Sequence, residues 1–293
     1  MRRTMIVCLL CVLASLALMF YGLWMPDRSP FPTPKIYAYI IADDIGTTAM
    51  QHKQGLQQAA SELDVEIRTF TAEKNAAQSQ QLLSFLNELK ESDIDGIILS
   101  ECGPDVSSRA TEIAAEMEVP LACLFEIQEP GVFSLSVDEA LGRALAQAAD
   151  NAAPTAVLAG NGSASQRRLA GASAVLAAPF AHYESITALP PSLRGIQLLV
   201  LTPEWLANLP AGGVDRILST DPGDTRASLL ETGRIDALAI RMPYAEGYLA
   251  LSALHANAQY GGPVFSIECP VRVVTAETLY NSENVKLMFP LLQ

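Results

Sequence analysis

The sequence of 293 residues predicts an α/β protein with two parallel-sheet lobes, preceded by one N-terminal transmembrane helix. Beyond residue 34, short apolar runs alternate with amphipathic helical segments, which is typical of parallel sheets covered on both faces. The alternation continues long enough for two successive sheets. Near the N-terminus, an uncharged run of twenty residues, Met5–Trp24, has the length required to cross the core of a bilayer.

The first 34 residues are predicted to be a membrane anchor and a spacer. Arg2 and Arg3 precede the apolar run, whereas the two charges that follow it cancel each other. The positive-inside rule therefore places the N-terminus in the cytoplasm and the body outside. Four prolines between positions 26 and 34 indicate a stiff, extended spacer. We expect a single-pass protein of the cell membrane whose body, residues 35–293, is extracytoplasmic.

Two other fates of this segment stay open. A signal peptide could be cleaved near Ser15-Leu16-Ala17, which would make the protein secreted. Seven mostly large apolar residues follow that point, however, and the apolar core of a signal peptide is normally shorter than this run. A lipid anchor would need a cysteine behind a lipobox. Cys8 and Cys11 come too early and lack that pattern.

The charge of the body excludes one large class of partners. Without the three bases and one acid of residues 1–34, the chain has 16 Lys and Arg against 31 Asp and Glu, a net charge of −15. Since no basic stripe is available to neutralise phosphates, we expect no nucleic-acid partner. Cys102, Cys123 and Cys269 form no CxxC pair, and the three histidines show no metal-ligand spacing. We therefore predict no cofactor and no metal.

The first seven elements alternate strictly between strand and helix. Lys35–Ala42 is apolar and rich in β-branched residues, as a buried strand is, whereas the following helix places Leu56, Ala59 and Leu63 on one face. Cys123, inside an apolar strand, is expected to be a small core residue. The predicted elements are strands at 35–42, 65–70, 94–100 and 119–125 and helices at 48–63, 78–90 and 107–117.

The second half repeats this alternation with shorter elements. Asp138 is expected to cap the N-terminus of a helix. Pro243 is expected in the first turn of another helix, a position that tolerates its missing N–H. The predicted strands lie at 132–137, 155–160, 183–189, 196–201, 214–220, 237–240, 264–267 and 271–275, and the predicted helices at 138–149, 166–178, 204–209, 225–232 and 243–256.

Several segments follow, in order and spacing, the pattern of one known family. The run SVDEALGRALA at Ser136–Ala146 is similar to a D-N-x-x-G helix start, and QRRLAG at Gln166–Gly171 is similar to an R-x-x-G helix start. The strongest match is Ser219–Leu254, STDPGDTRASLLETGRIDALAIRMPYAEGYLALSAL, with its G-x-I-x-A strand and P-x-x-x-G helix. From Ile36 to about Phe289 the chain thus resembles the type I periplasmic binding proteins, especially the ribose- and galactose-type sugar binders.

The resemblance implies a specific arrangement of the body. In that family the two lobes are interleaved and joined by a three-strand hinge, and ligand closes them by a population shift. Carried over, lobe one comprises about 35–127 plus 241–268. Lobe two comprises about 128–240 plus 269–293.

The resemblance also places the ligand between the lobes, beyond the carboxyl ends of the strands. The sugar binders' first loop carries aromatics, but this sequence has Asp43 and Asp44 there. Phe125-Glu126 replaces an Asp-Arg pair, Leu201-Thr202 replaces an Asn-Asp pair, and Arg241 replaces the hinge Gln. The predicted ligand-binding residues are Asp43, Asp44, Glu101, Phe125, Glu126, Glu139, Arg168, Thr202, Asp221 and Arg241.

Several of these residues also have a purely structural interpretation. Asp43 and Asp44 could serve only the first turn of a helix, where carboxylates suit the dipole. Arg168 could be a solvated helix residue, and Asp221 could bond only to amides of its own loop. Arg241 is the strongest candidate, because a charge directly after a buried strand needs a partner or a ligand. Since acids outnumber bases among the candidates, we expect a neutral polyol, a sugar or a cation rather than a phosphosugar.

Two functions compete. The first is an extracytoplasmic solute-binding protein that captures a sugar for the permease of an ABC importer. The second is a membrane-anchored sensor that signals through a histidine kinase or receptor. The related repressors begin with a helix-turn-helix, and a membrane segment occupies that place here. An enzyme is not expected, because the sequence has no P-loop and no GxSxG elbow, and Gly160–Ser163 lacks the third glycine of GxGxxG.

Overall fold

The computed structural model describes residues 34–42, 47–127, 129–150, 152–176, 179–209, 213–221, 225–264 and 266–288. The predicted membrane helix and nearly all of the spacer lie outside these ranges. Among the helices within them, none is both long and apolar enough to cross a bilayer. The described residues from Ile36 onward form one compact unit.

The predicted alternation of strands and helices is confirmed. The strands are β1 (Ile36–Ile41), β2 (Glu66–Thr71), β3 (Gly96–Leu99), β4 (Leu121–Cys123), β5 (Val132–Ser136), β6 (Thr155–Leu158), β7 (Ala181–Tyr183), β8 (Leu193–Val200), β9 (Val214–Thr220), β10 (Ala237–Arg241), β11 (Ser266–Glu268) and β12 (Val271–Thr275). The α-helices are α1 (Thr47–Leu63), α2 (Gln78–Leu89), α3 (Pro104–Glu116), α4 (Val137–Ala148), α5 (Ser163–Ser173), α6 (Arg226–Glu231), α7 (Pro243–Tyr260) and α8 (Ser282–Met288).

These strands form two six-stranded sheets, one for each lobe. The first has the order β11-β5-β4-β3-β1-β2 and the second the order β12-β10-β9-β8-β6-β7. All neighbours are parallel except β12, which runs antiparallel to β10. The chain passes between the sheets three times, after β5, after β10 and between β11 and β12. The resemblance implied three crossings of this kind, and their action as a hinge stays a prediction.

The position of β5 corrects one detail of the predicted organisation. We expected the chain to leave lobe one near residue 127, which would put this strand in lobe two. In the structure β5 pairs with β4 and β11, so it belongs to the first sheet. The passage therefore lies at the junction of Ser136 and Val137, where β5 continues directly into α4.

Apolar side chains cover both faces of each sheet, which explains the continuous apolar runs of the sequence. In β1, Tyr37 and Tyr39 join one buried cluster, whereas Ala38 and Ile40 join another on the opposite face. In the second sheet, Val157 lies in the first of these clusters and Ala156 in a third. Such double coverage is what parallel sheets require.

Glycines bring two pairs of helices into backbone contact beside the sheets. A Cβ on Gly55 of α1 would lie 1.9 Å from the carbonyl oxygen of Tyr244 in α7. A Cβ on Gly142 of α4 would lie 1.8 Å from the carbonyl oxygen of Arg168 in α5. Because only a hydrogen atom fits at these glycine positions, the backbones of the paired helices pack in direct contact. Each pair of helices carries residues of the site described below.

Two segments differ from their predicted form. The segment at 183–189 is not one strand; it holds the end of β7 and a short 3₁₀ helix, Ile186–Ala188. The segment at 204–209, predicted as a short helix, forms the 3₁₀ helix Pro203–Asn208. The helix α8 was not predicted.

Candidate ligand-binding cleft

A cavity of about 490 Å³ lies between the carboxyl ends of the two sheets. Its wall includes the loops after β3 and β4 on one side, and α5 with the ends of β9 and β10 on the other. This is where open α/β sheets bind ligands. The lining residues are Glu101, Cys102, Phe125, Glu126, Val137, Asp138, Leu141, Ser163, Ala164, Arg167, Arg168, Thr220, Asp221 and Arg241.

A second cavity of about 370 Å³ shares Glu101 and Arg241 with the first, so the two adjoin at these side chains. It extends towards lobe one, between α1 and the ends of the central strands. Its other lining residues are Ala42, Thr48, Ala49, His52, Lys74, Gln78, Ser100 and Leu124.

The structure brings six of the ten predicted ligand-binding residues into the wall of the first cavity. They come from both lobes and from elements far apart in the chain. The six are Glu101, Phe125, Glu126, Arg168, Asp221 and Arg241.

The remaining four predicted residues are not in that wall. Asp43 and Asp44 lie outside the described residues. Thr202 is not a lining residue, because its hydroxyl is used within lobe two; it accepts from the amide of Gly160 at 2.8 Å and contacts the Ser165 hydroxyl at 2.9 Å. Glu139 lies in the first turn of α4, outside the lining but close enough to act electrostatically on Glu126.

Sequence reasoning missed the carboxylate that organises the arginines of α5. Asp138, expected only as a helix cap, accepts from Arg167 Nη2 at 2.9 Å and from Arg168 Nε at 2.8 Å. Arg168 also donates to the carbonyl of Leu201 at 2.9 Å. Both arginines face the cavity, so Asp138 neutralises positive charge there. Its position in the family-like SVDEALG motif was the available signal.

Glu126 is a carboxylate in an unfavourable environment. Its Oε2 lies 2.9 Å from Arg167 Nε, yet the two atoms are misaligned, and neither has a hydrogen-bond partner within the described residues. Burial raises the pKa of Glu126, and the charges of Asp138 and Glu139 raise it further, whereas Arg167 opposes the shift. The pKa therefore lies above its ordinary value. A perturbed carboxylate in a cleft is typical of a functional site.

Arg241, at the end of β10, is held by a buried partner. Its Nη2 donates to Glu246 Oε2 at 2.6 Å and its Nε to Oε1 at 3.1 Å. His52 Nε2 lies 2.8 Å from the same Oε2. Burial alone would raise the pKa of Glu246, but His52 and Arg241 together hold that pKa below its ordinary value. Sequence reasoning found the arginine and missed both partners.

The rest of the wall combines polar side chains with the apolar Val137, Leu141 and Ala164. Asp221 pairs with Arg226 at 2.9 Å. Thr220, 1% exposed, has a buried hydroxyl without a hydrogen-bond partner among the described residues. Burial, and then Glu101, raises the pKa of the Cys102 thiol to about 12, which keeps it protonated at neutral pH. In the described part of the chain, no group of three or more His, Cys, Asp or Glu side chains could hold a metal ion.

Comparison with known proteins gives relatives by structure alone. No family model matches the sequence. No curated protein matches it either. An arabinose binding protein from Geobacillus stearothermophilus, AraP, is 16% identical with a TM-score of 0.64, over 84% of this chain and 98% of that one.

Two further solved structures show the same likeness. An ABC transporter periplasmic solute-binding protein from Actinobacillus succinogenes, with bound D-allose, is 15% identical with a TM-score of 0.59, over 84% and 99% of the two chains. A chain of the XylFII–LytSN complex is 13% identical with a TM-score of 0.68, also over 84% and 99%. Together with the two sheets and the interlobe cleft, these likenesses show that the chain has the fold of the type I periplasmic binding proteins, as the motifs implied.

Proposed function

We propose that the chain is an extracytoplasmic solute-binding protein that captures a small neutral, polar ligand, a sugar or polyol, for an ABC importer. The observation that carries the proposal is the interlobe cavity of about 490 Å³, in which polar side chains from both lobes converge. Pockets of this volume suit small molecules, and a few convergent polar groups provide the specificity. Phe125 adds an apolar face of the kind that packs against a sugar ring.

The charges of the wall support a neutral ligand. Arg167 and Arg168 share Asp138, and Arg241 is paired with Glu246. Glu101 and Glu126 add further negative charge to the cavity. A phosphosugar would need uncompensated cations, because phosphate binding depends on charge-assisted hydrogen bonds. The names of two structural neighbours, an arabinose binder and a protein with D-allose, point to the same ligand class.

The N-terminal segment completes the proposal. Met5–Trp24 anchors the protein, and the proline-rich spacer holds the lobes away from the bilayer, with the cleft outside the cell. Within residues 35–293 the proposed lobes follow the two sheets, so that lobe one also includes β5. Binding without turnover is expected, because the structural neighbours named above are binding proteins.

A thermal-shift screen of the full-length protein in detergent against aldoses, polyols, amines and phosphosugars tests the ligand class. A neutral sugar at 100 times its dissociation constant should add about 2.7 kcal/mol to the free energy of unfolding. Calorimetry on the hits then gives the affinity. No shift with any sugar or polyol, or tight binding of a phosphosugar, would contradict the proposal.

The alternative function is that of a membrane-anchored ligand sensor. One structural neighbour is a chain of the XylFII–LytSN complex, so a protein with this fold can bind a second protein. Adjacent genes separate the two functions. Permease and ATPase genes are expected for an importer, whereas genes of a histidine kinase and a response regulator would favour the sensor.

A further inference from the structure

Arg241 occupies the junction of the two cavities. It lines both of them, and its side chain is 30% exposed. Nε and Nη2 are bonded to Glu246, whereas Nη1 makes no hydrogen bond to any residue that the structure describes. The guanidinium therefore keeps donors for a molecule in the cleft, because it carries five N–H groups in a fixed plane.

Glu246 behind it is wholly buried, at 0% exposure, and cannot turn away. Both of its oxygens accept hydrogen bonds, from Arg241 and from His52, which is 5% exposed. The backbone adds a second restraint, because a Cβ on Gly247 would lie 2.3 Å from the carbonyl oxygen of His52. The close packing of α1 against α7 therefore fixes the Glu246 carboxylate directly behind Arg241.

Stability alone does not account for this arrangement. A buried ion pair is weak evidence for stability, because desolvation offsets most of its Coulomb energy and apolar residues of similar volume often serve as well. Glu246 also acts electrostatically on the cleft, because its charge lies directly behind the arginine that faces the ligand. A ligand anion beside Arg241 would be attracted by the guanidinium and repelled by Glu246, which lies one hydrogen-bonded contact further away, so the carboxylate offsets part of the attraction.

We propose that Glu246, positioned by His52, is a specificity-determining counter-charge that restricts the cleft to ligands without negative charge. Arg241 then acts as a hydrogen-bond donor to ligand oxygens rather than as a net positive charge. Selectivity of this kind is a difference between two affinities and needs an element that disfavours the wrong ligand. The inference rests on the proposed function, since it assigns the ligand charge that the cleft accepts.

The test measures selectivity for charge with matched probes. Calorimetry at neutral pH and low ionic strength gives dissociation constants for D-galactose and D-galacturonate, and for D-glucose and D-glucuronate. Each pair differs chiefly by a carboxylate. In Glu246→Gln, the ratio of the uronate constant to the sugar constant should fall by about tenfold or more, equivalent to about 1.4 kcal/mol. Equal weakening of both members would indicate a merely structural role and would overturn the inference.

Two further variants serve as controls for the effect of Glu246→Gln on this ratio. Glu62→Gln removes a carboxylate of α1 that bonds to Gln58 and Tyr248 away from the cavities, and it should leave the ratio unchanged. Glu101→Gln removes an exposed carboxylate that also acts on Arg241, and it should lower the ratio less than Glu246→Gln does. A larger effect for Glu101→Gln would contradict the assignment.

Arg241→Gln covers the case in which Glu246→Gln does not fold. It leaves Glu246 uncompensated behind the cleft, so the ratio should rise. An unchanged or lower ratio would overturn the inference. A wild-type protein that binds no sugar or polyol of the thermal-shift screen would overturn the proposed function and this inference with it. A sugar-binding protein whose ratio does not change in these variants would overturn the counter-charge alone.

Discussion

At the scale of single residues, the folded state disfavours the ionised form of one cleft carboxylate, that of Glu126. Glu126 has its pKa raised by burial first, and Asp138 and Glu139 add to the shift. Because its folded-state pKa lies above its unfolded value, ionised Glu126 lowers stability at neutral pH. This cost disappears as the pH falls through the folded-state pKa towards the unfolded value of about 4.3. Because ionised Glu126 lowers stability, we expect that this residue contributes to ligand binding.

Glu126→Gln is therefore predicted to raise the free energy of unfolding at neutral pH and to weaken ligand binding. The gain should vanish below about pH 4, where the wild-type carboxyl is itself protonated. Urea unfolding at several pH values measures it. Glu129→Gln, an exposed neighbour in the same loop, is the control and should change little. A loss of stability in Glu126→Gln at neutral pH would show that its pairing with Arg167 outweighs desolvation.

At the scale of secondary-structure elements, the crossing of α1 and α7 supports the site from behind. It brings His52 of α1 to Glu246 of α7, and this contact depends on glycine at the crossing. Overpacking of a tight contact is costly, because the neighbouring backbone cannot move without disturbing its own helix. The crossing thus couples the stability of lobe one to the position of Arg241.

Gly55→Ala is predicted to destabilise the protein by about 1–3 kcal/mol, since the new methyl group would overlap the carbonyl oxygen of Tyr244. Ser61→Ala is a control in the same helix, because position 61 is exposed and alanine favours a helix. The control should stay within about 0.5 kcal/mol. Urea unfolding midpoints compare the two, and equal effects would show that α1 and α7 can separate without penalty.

The elements were largely predictable from the sequence, and their partners were not. Periodicity located nearly every strand and helix, because burial on one or both faces determines which positions are apolar. The lobe boundaries carried over from the resemblance placed β5 in lobe two, and its apolar pattern could not correct them, because an apolar strand carries no mark of the sheet that it joins. Arg241 could be predicted because it is a charge directly after a buried strand. The contact of His52 with Glu246 could not, because the two residues are 194 positions apart in the sequence and meet only in the folded structure.

At the scale of the whole molecule, the chain passes between the two sheets three times, and we expect these passages to act as a hinge between the lobes. The passages are short, and beside the polar cavity the two sheets share one buried apolar cluster, to which both β1 and β6 contribute. Hinges of this kind are a few residues at the ends of elements that absorb the change in backbone angles. Ligand that contacts both lobes binds the closed state better and shifts the population towards it.

Small-angle X-ray scattering on the full-length protein is predicted to show a smaller radius of gyration with saturating sugar than without it. The physical reason is closure of the lobes around a ligand held by side chains from both. Arg168→Gln, which removes a lining cation of lobe two, should need more sugar for the same compaction. A radius that does not change although calorimetry shows binding would contradict closure.

The interleaved strand order also affects how the protein folds during its biosynthesis. In the first sheet β5 pairs with β11, which begins only at Ser266, and in the second sheet β10 pairs with the later β12. Until these late segments have crossed the membrane, both sheets of the partly exported chain would expose an unpaired edge, and such edges attract other strands. Because pairing over long sequence separation is slow, biosynthesis of this protein should depend on chaperones that shield those edges until the last strands arrive.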